Sequence, residues 1–344
     1  MTCPKCGGEL IINSNLCPKC DVAEISTQPE TKKKRRLTPI GKLAIAIFVI
    51  VAAVICAVTL KVHYSRLEIH GISNGNRLNN SLVCETKTEY YFSTVNELYC
   101  SNKRFGSREL VDESADIIAN VIYCNGCVYY TKENSIYCYN PSQRKKYAVA
   151  QLNGECSVAA KSYYDVYYSY DDALYMFSTR DASFSKVTDG IPVIDEGRLY
   201  LFADNALYEA DFETLSKTKI NAVSEYSRPV FVRDEKLFCY EYKEQRIFSV
   251  SLPDGALTSE FKSGDYQNIS DVTHMNISDN YLFLRGENGI YRYDFETGEI
   301  LCMTTLGYME YINACNGMLY TVTPDSTAYF IDLNGNIVSE IAKD

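Results

Sequence analysis

The chain has 344 residues, a formal net charge of −10, 14 Cys, 29 Tyr and no Trp. At 46% hydrophobic and 23% charged it has a globular composition, which excludes a wholly disordered or collagen-like chain. The acidic balance argues against a general nucleic-acid binder, because phosphate recognition needs a basic surface.

The average conceals a division. Residues 1–42 hold eight Lys and Arg against four Asp and Glu, net +4. Residues 43–60 are uncharged, and residues 61–344 carry −14 and every Tyr.

Residues 1–22 read as a zinc ribbon. Cys3-Pro4-Lys5-Cys6 and Cys17-Pro18-Lys19-Cys20 are two C-x2-C pairs separated by ten residues. Four thiolates from two tight knuckles make a closed tetrahedral Zn2+ site. So short a segment cannot bury a useful core, so the metal supplies its folding free energy. The duplicated tetrapeptide argues against a chance pair, and the cytoplasmic position expected from the basic run that follows disfavours two disulfides; an iron–sulfur site is the lesser alternative. A redox C-x-x-C would sit near a βα unit, which this segment lacks. No reaction is expected at the metal.

Residues 23–38 form a polar linker with almost no large apolar side chain, ending in Lys32, Lys33, Lys34, Arg35 and Arg36. Residues 39–61 then read as one transmembrane helix. The uncharged run at 43–60 spans about 27 Å as a helix, close to the hydrocarbon thickness of a bilayer. The basic run before it predicts a cytoplasmic N-terminus and an extracytoplasmic C-terminal domain. Beside a membrane, that run suits a contact with anionic lipid headgroups better than nucleic acid. A cleaved signal peptide would need an n-region of more than about forty residues with its own Cys motif. Cys56 follows Ile55 rather than the small residue that lipidation requires. Residues 62–81 are expected to be a juxtamembrane stalk or a strand that closes a ring.

Residues 82–344 repeat. Each unit is an aromatic strand, a polar turn and a second aromatic strand. The first-strand aromatics are Tyr91, Tyr129, Tyr167, Tyr200, Phe238, Phe283 and Tyr320, at steps of 38, 38, 33, 38, 45 and 37. The second-strand aromatics are Tyr99, Tyr137, Tyr175, Tyr208, Phe248, Tyr291 and Tyr329. Three residues later comes a small polar residue: Asn102, Asn140, Ser178, Asp211, Ser251, Asp294 and Asp332. A further apolar stretch lies on each side. Four strands at a period near forty predict an all-β fold, a β-propeller of seven blades. Blade-periodic aromatics are packing residues between stacked sheets.

The stretch Gly75-Asn76-Arg77-Leu78-Asn79-Asn80-Ser81-Leu82-Val83 leads into Tyr90-Tyr91-Phe92-Ser93. With the ribbon, the span and the repeats, it resembles a bacterial family of zinc-ribbon, single-pass membrane proteins. Their extracytoplasmic domain, of unknown function, is likened to the propeller of low-density-lipoprotein-receptor-related proteins. The resemblance covers nearly the whole chain and implies a membrane-tethered module with no catalytic residues to carry over. That receptor propeller has six blades and a Tyr-Trp-Thr-Asp motif, loosely echoed by Tyr167-Tyr168-Ser169-Tyr170-Asp171. Six blades is therefore the alternative count.

No catalytic or cofactor-binding set emerges. The histidines are His63, His70 and His274, and only the last lies within the repeats. The carboxylate pairs Asp171-Asp172, Asp195-Glu196 and Asp234-Glu235 fall near expected turns. Nine Cys lie beyond the span, an odd number; most read as small apolar strand residues. Cys124-Asn125-Gly126-Cys127 reads as a hairpin turn, with a disulfide or metal clip as the alternative. The expected function is a non-enzymatic binding, sensing or scaffold module for an unidentified protein or envelope ligand. The alternative is an extracellular hydrolase or lyase with a carboxylate site in the propeller channel.

Overall fold

The computed structural model describes Cys3, Cys6, Gly7, residues 39–65 and residues 74–342. Within these it leaves out 125, 153, 155–156, 162–164, 196–197, 212–213, 253, 263–273, 279, 287–288, 307–308 and 310. The chain separates into two units, residues 1–59 and 60–344.

Helix α1 runs from Pro39 to Ser65. Its large apolar side chains are exposed along its length, from Leu43 and Phe48 to Ile55 and Leu60. Thr59 Oγ1 donates to Ile55 O at 2.8 Å, so this hydroxyl is satisfied within the helix. Side chains of α1 are described without a break only over 45–60. Among the described residues no helix is both long and apolar enough to cross a membrane.

The other unit is a seven-bladed β-propeller. Its seven sheets each hold four antiparallel strands in chain order. Blade 1 spans 83–113, blade 2 119–151, blade 3 157–189, blade 4 191–222, blade 5 227–262, blade 6 274–304 and blade 7 311–341. First strands neighbour one another at six of the seven blade junctions and form the inner ring; between blades 5 and 6 both lie against the 3-10 helix at Asn74–Asn79. The fourth strands are the outer edges. They carry exposed, largely polar residues, as in Lys145–Gln151 and Ser183–Asp189. A register shift interrupts the pairing of third and fourth strands in every blade. Such bulges twist an edge away from pairing with another chain.

The repeat predicted from sequence is reproduced to the residue. The first-strand aromatic of each unit lies in the second strand of its blade. The residue after it pairs with the next strand's aromatic: Phe92 with Tyr99, Tyr130 with Tyr137, Tyr168 with Tyr175. Leu201 with Tyr208, Cys239 with Phe248, Leu284 with Tyr291 and Thr321 with Tyr329 complete the set. Where both partners are aromatic the rings stack, at 5.9, 5.7 and 5.6 Å between centroids.

Because neighbouring strand residues point to opposite faces, each second strand serves two junctions. Tyr91 packs with Tyr130 and Tyr139 towards blade 2, whereas Tyr90 and Phe92 pack with Tyr320 and Phe330 towards blade 7. Seven buried apolar clusters result, one at each junction. Where it is Asn or Asp, the small polar residue after the second aromatic caps the turn into the fourth strand; in blades 3 and 5, where it is Ser, Asp181 and Asp254 accept the turn amides instead. Asn102 Oδ1 accepts from the amides of Arg104 and Gly106, Asp294 Oδ1 from Glu296 and Thr297, and Asp332 Oδ1 from Asn334 and Asn336. Two-residue turns with both φ positive join several strands. They include Glu133-Asn134, Asp171-Asp172, Asp204-Asn205, Asp234-Glu235 and Asn316-Gly317.

The expected stalk or ring-closing strand is, over Asn74–Asn79, a 3-10 helix lying on the inner strands of blades 4 to 7. Among the described residues, blade 1 and blade 7 each draw all four strands from one stretch of chain, so no strand is shared between them. The 3-10 helix supplies side-chain amides where a strand would supply backbone. Asn76 Nδ2 donates to Ala314 O at 2.8 Å, and Asn76 Oδ1 accepts from Ala314 N at 2.6 Å. Asn79 Nδ2 donates to Met275 O at 2.6 Å, and its Oδ1 accepts from Ile312 N at 3.2 Å. Asn276 Nδ2 bonds both Asn76 Oδ1 and Ile312 O, while Asn313 bonds Asn79 O and Leu82 N. These four asparagines are fully buried. A primary amide carries the same donor and acceptor as a peptide unit, so it can satisfy an inner edge without adding a strand. Gly75 is required for the approach: a Cβ there would collide with Asn276 Oδ1 and lie 2.9 Å from Ile277 N.

Candidate binding face

After the 3-10 helix the chain turns sharply through Asn80 and Ser81, both at positive φ. Asn80 O accepts from Asn120 N, and Ser81 O from Val121 N, each at 2.7 Å. The segment therefore joins the inner strands of blades 4 to 7 to that of blade 2. Beside this crossing a cleft of about 560 Å³ opens, a size suited to a small ligand or a peptide side chain. It is lined by Asn80, the linker residues Asp116 and Ile117, the blade 2 residues Asn120 and Lys132 to Asn134, and Tyr311 of blade 7.

Its walls are held by polar bonds. Asn120, at φ 54 inside a strand, donates from Nδ2 to Thr131 Oγ1 at 2.9 Å, and that hydroxyl bonds Ala119 O. Ser114 Oγ donates to Glu133 Oε1 at 3.0 Å, and Asp116 N to Ser114 Oγ at 3.1 Å. Val95 has φ 77, an outlier for a β-branched residue. Its carbonyl accepts from Ile118 N at 2.6 Å, which fixes the linker over the cleft.

Lys132 turns away to a buried carboxylate. Its Nζ lies 2.9 Å from Asp112 Oδ2 and also donates to Glu113 O. Asp112, 2% exposed, further accepts from Tyr130 OH at 2.6 Å and from Lys146. Burial alone would raise the Asp112 pKa; the bonds from Lys132, Lys146 and Tyr130 outweigh it and hold the carboxyl below its ordinary value. On the far side of the cleft, His274 packs edge-on to Tyr311 and its Nδ1 lies 3.1 Å from Arg285 Nη1. Burial, reinforced by the Arg285 charge, lowers the His274 pKa. The imidazole is thus neutral at pH 7 and engaged by a guanidinium.

The candidate residues from the sequence separate. Asp171-Asp172 and Asp234-Glu235 are exposed, on two-residue turns in blades 3 and 5. The first joins a second and third strand and the second a first and second strand, so they lie at opposite ends of their sheets. Glu196 and the Asp195 side chain lie outside the described residues. Cys124 and Cys127 are cross-strand partners around Gly126 at φ 77, as the hairpin reading expects.

Of the proposed metal ligands, Cys17 and Cys20 lie outside the described residues, as do Lys32, Lys33, Lys34, Arg35 and Arg36. Cys3 and Cys6 share one turn: Gly7 N donates to Cys3 O at 2.9 Å, with Gly7 at φ 70. Two thiols on such a Gly-closed turn fit half of a tetrahedral Zn2+ site. Among the described residues no three His, Cys, Asp or Glu gather to hold a metal. The residues that sequence reasoning passed over are Asn76, Asn79, Asn120, Val95 and Tyr311. The Gly-Asn-rich stretch at 74–81 was the one available signal, and it carried a resemblance rather than a role.

No protein-family model and no curated protein matches this sequence. Solved structures do. One is PorZ, an essential bacterial surface component of the type-IX secretion system of Porphyromonas gingivalis, 12% identical at a TM-score of 0.56. That match covers 81% of this chain and 39% of PorZ, so this chain spans well under half of that relative's length. A chain of a mitotic checkpoint complex is 13% identical at a TM-score of 0.54, covering 77% of this chain and 90% of that one. An oligogalacturonate lyase in complex with manganese is 9% identical at 0.49, covering 78% and 86%. At identities this low, PorZ and the checkpoint chain show the propeller fold alone.

Proposed function

We propose that the protein is a membrane-anchored, extracytoplasmic binding or scaffold module without enzymatic activity. The observation that carries this reading is the division between axis and rim. The chain's own asparagines fill the inner edges of blades 6 and 7, while an open concavity lies at the loop face between blades 7, 1 and 2. Its walls are amides, hydroxyls and charges, with Asn120, Thr131, Lys132 and Glu133 already paired, which suits hydrogen bonding to a polar partner rather than proton transfer. A protein partner fits best, since rim loops on a rigid ring are a common place for recognition. PorZ being a surface component and the checkpoint chain being part of a complex are consistent with it.

In the same proposal α1 is the anchor. Its 27 residues would measure about 40 Å, and apolar side chains on all sides suit lipid. Lys32, Lys33, Lys34, Arg35 and Arg36 would meet anionic headgroups on the cytoplasmic side. Cys3, Cys6, Cys17 and Cys20 would hold a structural Zn2+ there, organising the ribbon without taking part in a reaction.

The test uses the full chain in lipid nanodiscs, cross-linked to solubilised envelope proteins. A specific partner should be captured, and the exposed rim reversals Asp116→Arg and Glu133→Arg should lose it, Asp116→Arg with melting temperature unchanged and Glu133→Arg with a small drop from the lost Ser114 bond. Turnover of an envelope polysaccharide by the same preparation, surviving both reversals, would replace this reading with the hydrolase or lyase one.

A further inference from the structure

A second concavity, of about 390 Å³, lies between the last strand of blade 4 (Lys217–Ala222) and blade 5. Its walls present Ser224, Ser227, Arg246, Thr258 and Ser259, with Phe248 beneath. Ser227 is fully buried and its Oγ has no hydrogen-bond partner. Its backbone is fully used: Ser227 N donates to Ser224 O at 3.0 Å, and Ser227 O accepts from Arg228 at 2.9 Å. Only the hydroxyl in the cleft wall is left over, and a buried polar group is normally paired.

Arg246 is fixed from two sides. Its Nε donates to Glu241 Oε2 at 2.6 Å, and its guanidinium lies over the Phe248 ring at 5.4 Å. Glu241 is itself buried, at 5% exposure. Among the described residues, no protein acceptor engages the Nη1 and Nη2 groups. A guanidinium held through Nε offers these as a planar fork that matches one carboxylate. The Glu241 charge offsets part of the Arg246 charge, which suits a monoanion better than a dianion. Ser227 and Ser259 present hydroxyls on the same side, Ser259 paired with Phe248, and Ser224 adds a third whose oxygen already accepts from Tyr226 N at 3.2 Å; hydroxyls that both donate and accept suit a polyol. A phosphate at neutral pH has chiefly acceptors and would leave the acceptor half of those hydroxyls unused. The volume is at the lower end for ligand sites and suits one sugar ring.

We propose that the cleft between blades 4 and 5 binds a small hydroxylated monocarboxylate of the sugar-acid type, with its carboxylate on Arg246 and a hydroxyl on Ser227. This site is separate from the loop-face cleft and does not depend on the role assigned to it.

Isothermal titration of the full chain in detergent micelles with D-glucuronate tests the proposal, with D-glucose and inorganic phosphate as comparisons. Glucuronate should bind, glucose at least about tenfold more weakly, and phosphate no more tightly than glucuronate. Ser227→Ala removes a hydroxyl that has no partner in the free protein. It should therefore leave the melting temperature unchanged or raised while weakening glucuronate about fivefold. Arg246→Gln should abolish binding. Absence of glucuronate binding at millimolar concentration, tighter binding of phosphate, or unchanged affinity in Ser227→Ala would each overturn the proposal. Unchanged affinity with a lowered melting temperature would mean that the Ser227 hydroxyl holds only a structural water.

Discussion

Blade 1 meets its two neighbours by different physics. Towards blade 2, to which residues 114–118 connect it, the junction mixes apolar rings with a buried ionic group, Asp112 with Lys132, Lys146 and Tyr130. Towards blade 7 there is no connecting chain, and the described junction is dominated by aromatic packing. Phe330 lies within 4.6 to 5.4 Å of the rings of Phe105, Tyr320, Tyr90 and Phe92. A buried ion pair gains little net stability against its desolvation but penalises every arrangement that leaves it unpaired. Apolar burial stabilises without regard to direction. The continuous junction can therefore use charge to fix its register, whereas the discontinuous one relies on ring burial with uncharged hydrogen bonds such as Tyr320 OH to Ser93 O at 2.7 Å.

The sharpest way to break this contrast is Phe330→Ala. The cavity should cost about 3–5 kcal/mol, read as a lower urea midpoint, and should open the ring at the blade 7 to 1 junction first in hydrogen exchange. Asp112→Ala should cost about 3 kcal/mol, because Lys132 is left buried without its partner. The pH dependence separates the junctions further. The folded Asp112 pKa lies below its unfolded value of about 3.9, so its contribution is complete above that pH and is lost as pH falls through the folded value. Asp112→Asn should flatten the acid limb of the stability curve, and Phe330→Leu should leave that limb's shape unchanged. The smallest expected effect is Asn79→Ala, about 1–3 kcal/mol for the unpaired edge groups Met275 O and Ile312 N. It should speed hydrogen exchange of the Ile312 amide while sparing the blade 1 to 2 junction.

The blades were legible because their determinant is local and repeated. An aromatic, a turn and a second aromatic fall within about ten residues, and the Asx-type cap follows at a fixed offset. Reading Tyr91 and Tyr129 as packing residues needed only period and burial logic. Asp112 was not legible, since a carboxylate on a fourth strand reads as solvated until a neighbouring blade brings Lys132 and Tyr130 to it. Asn76 and Asn79 were less legible still. Their partners lie 196 to 238 residues away, and nothing local distinguishes an amide that completes a sheet edge from one in a polar turn. The carboxylate pairs illustrate the converse. Asp171-Asp172 and Asp234-Glu235 drew notice as chemistry, and their positive φ values show that turn geometry accounts for them.

The asparagine segment has a consequence for the order of assembly. It precedes blade 1 in the chain, but the edges it completes belong to blades 6 and 7, synthesised after blades 1 to 5. During synthesis, Asn76 and Asn79 must wait with their amides in water until residues 275 and 312–314 have emerged. Loop closure over so long a separation is slow, and the final step joins both ends of the propeller at once. Blades 1 to 6 therefore have to persist as an open arc, with the blade 7 side of blade 1 uncovered, until residues 311–341 have been made.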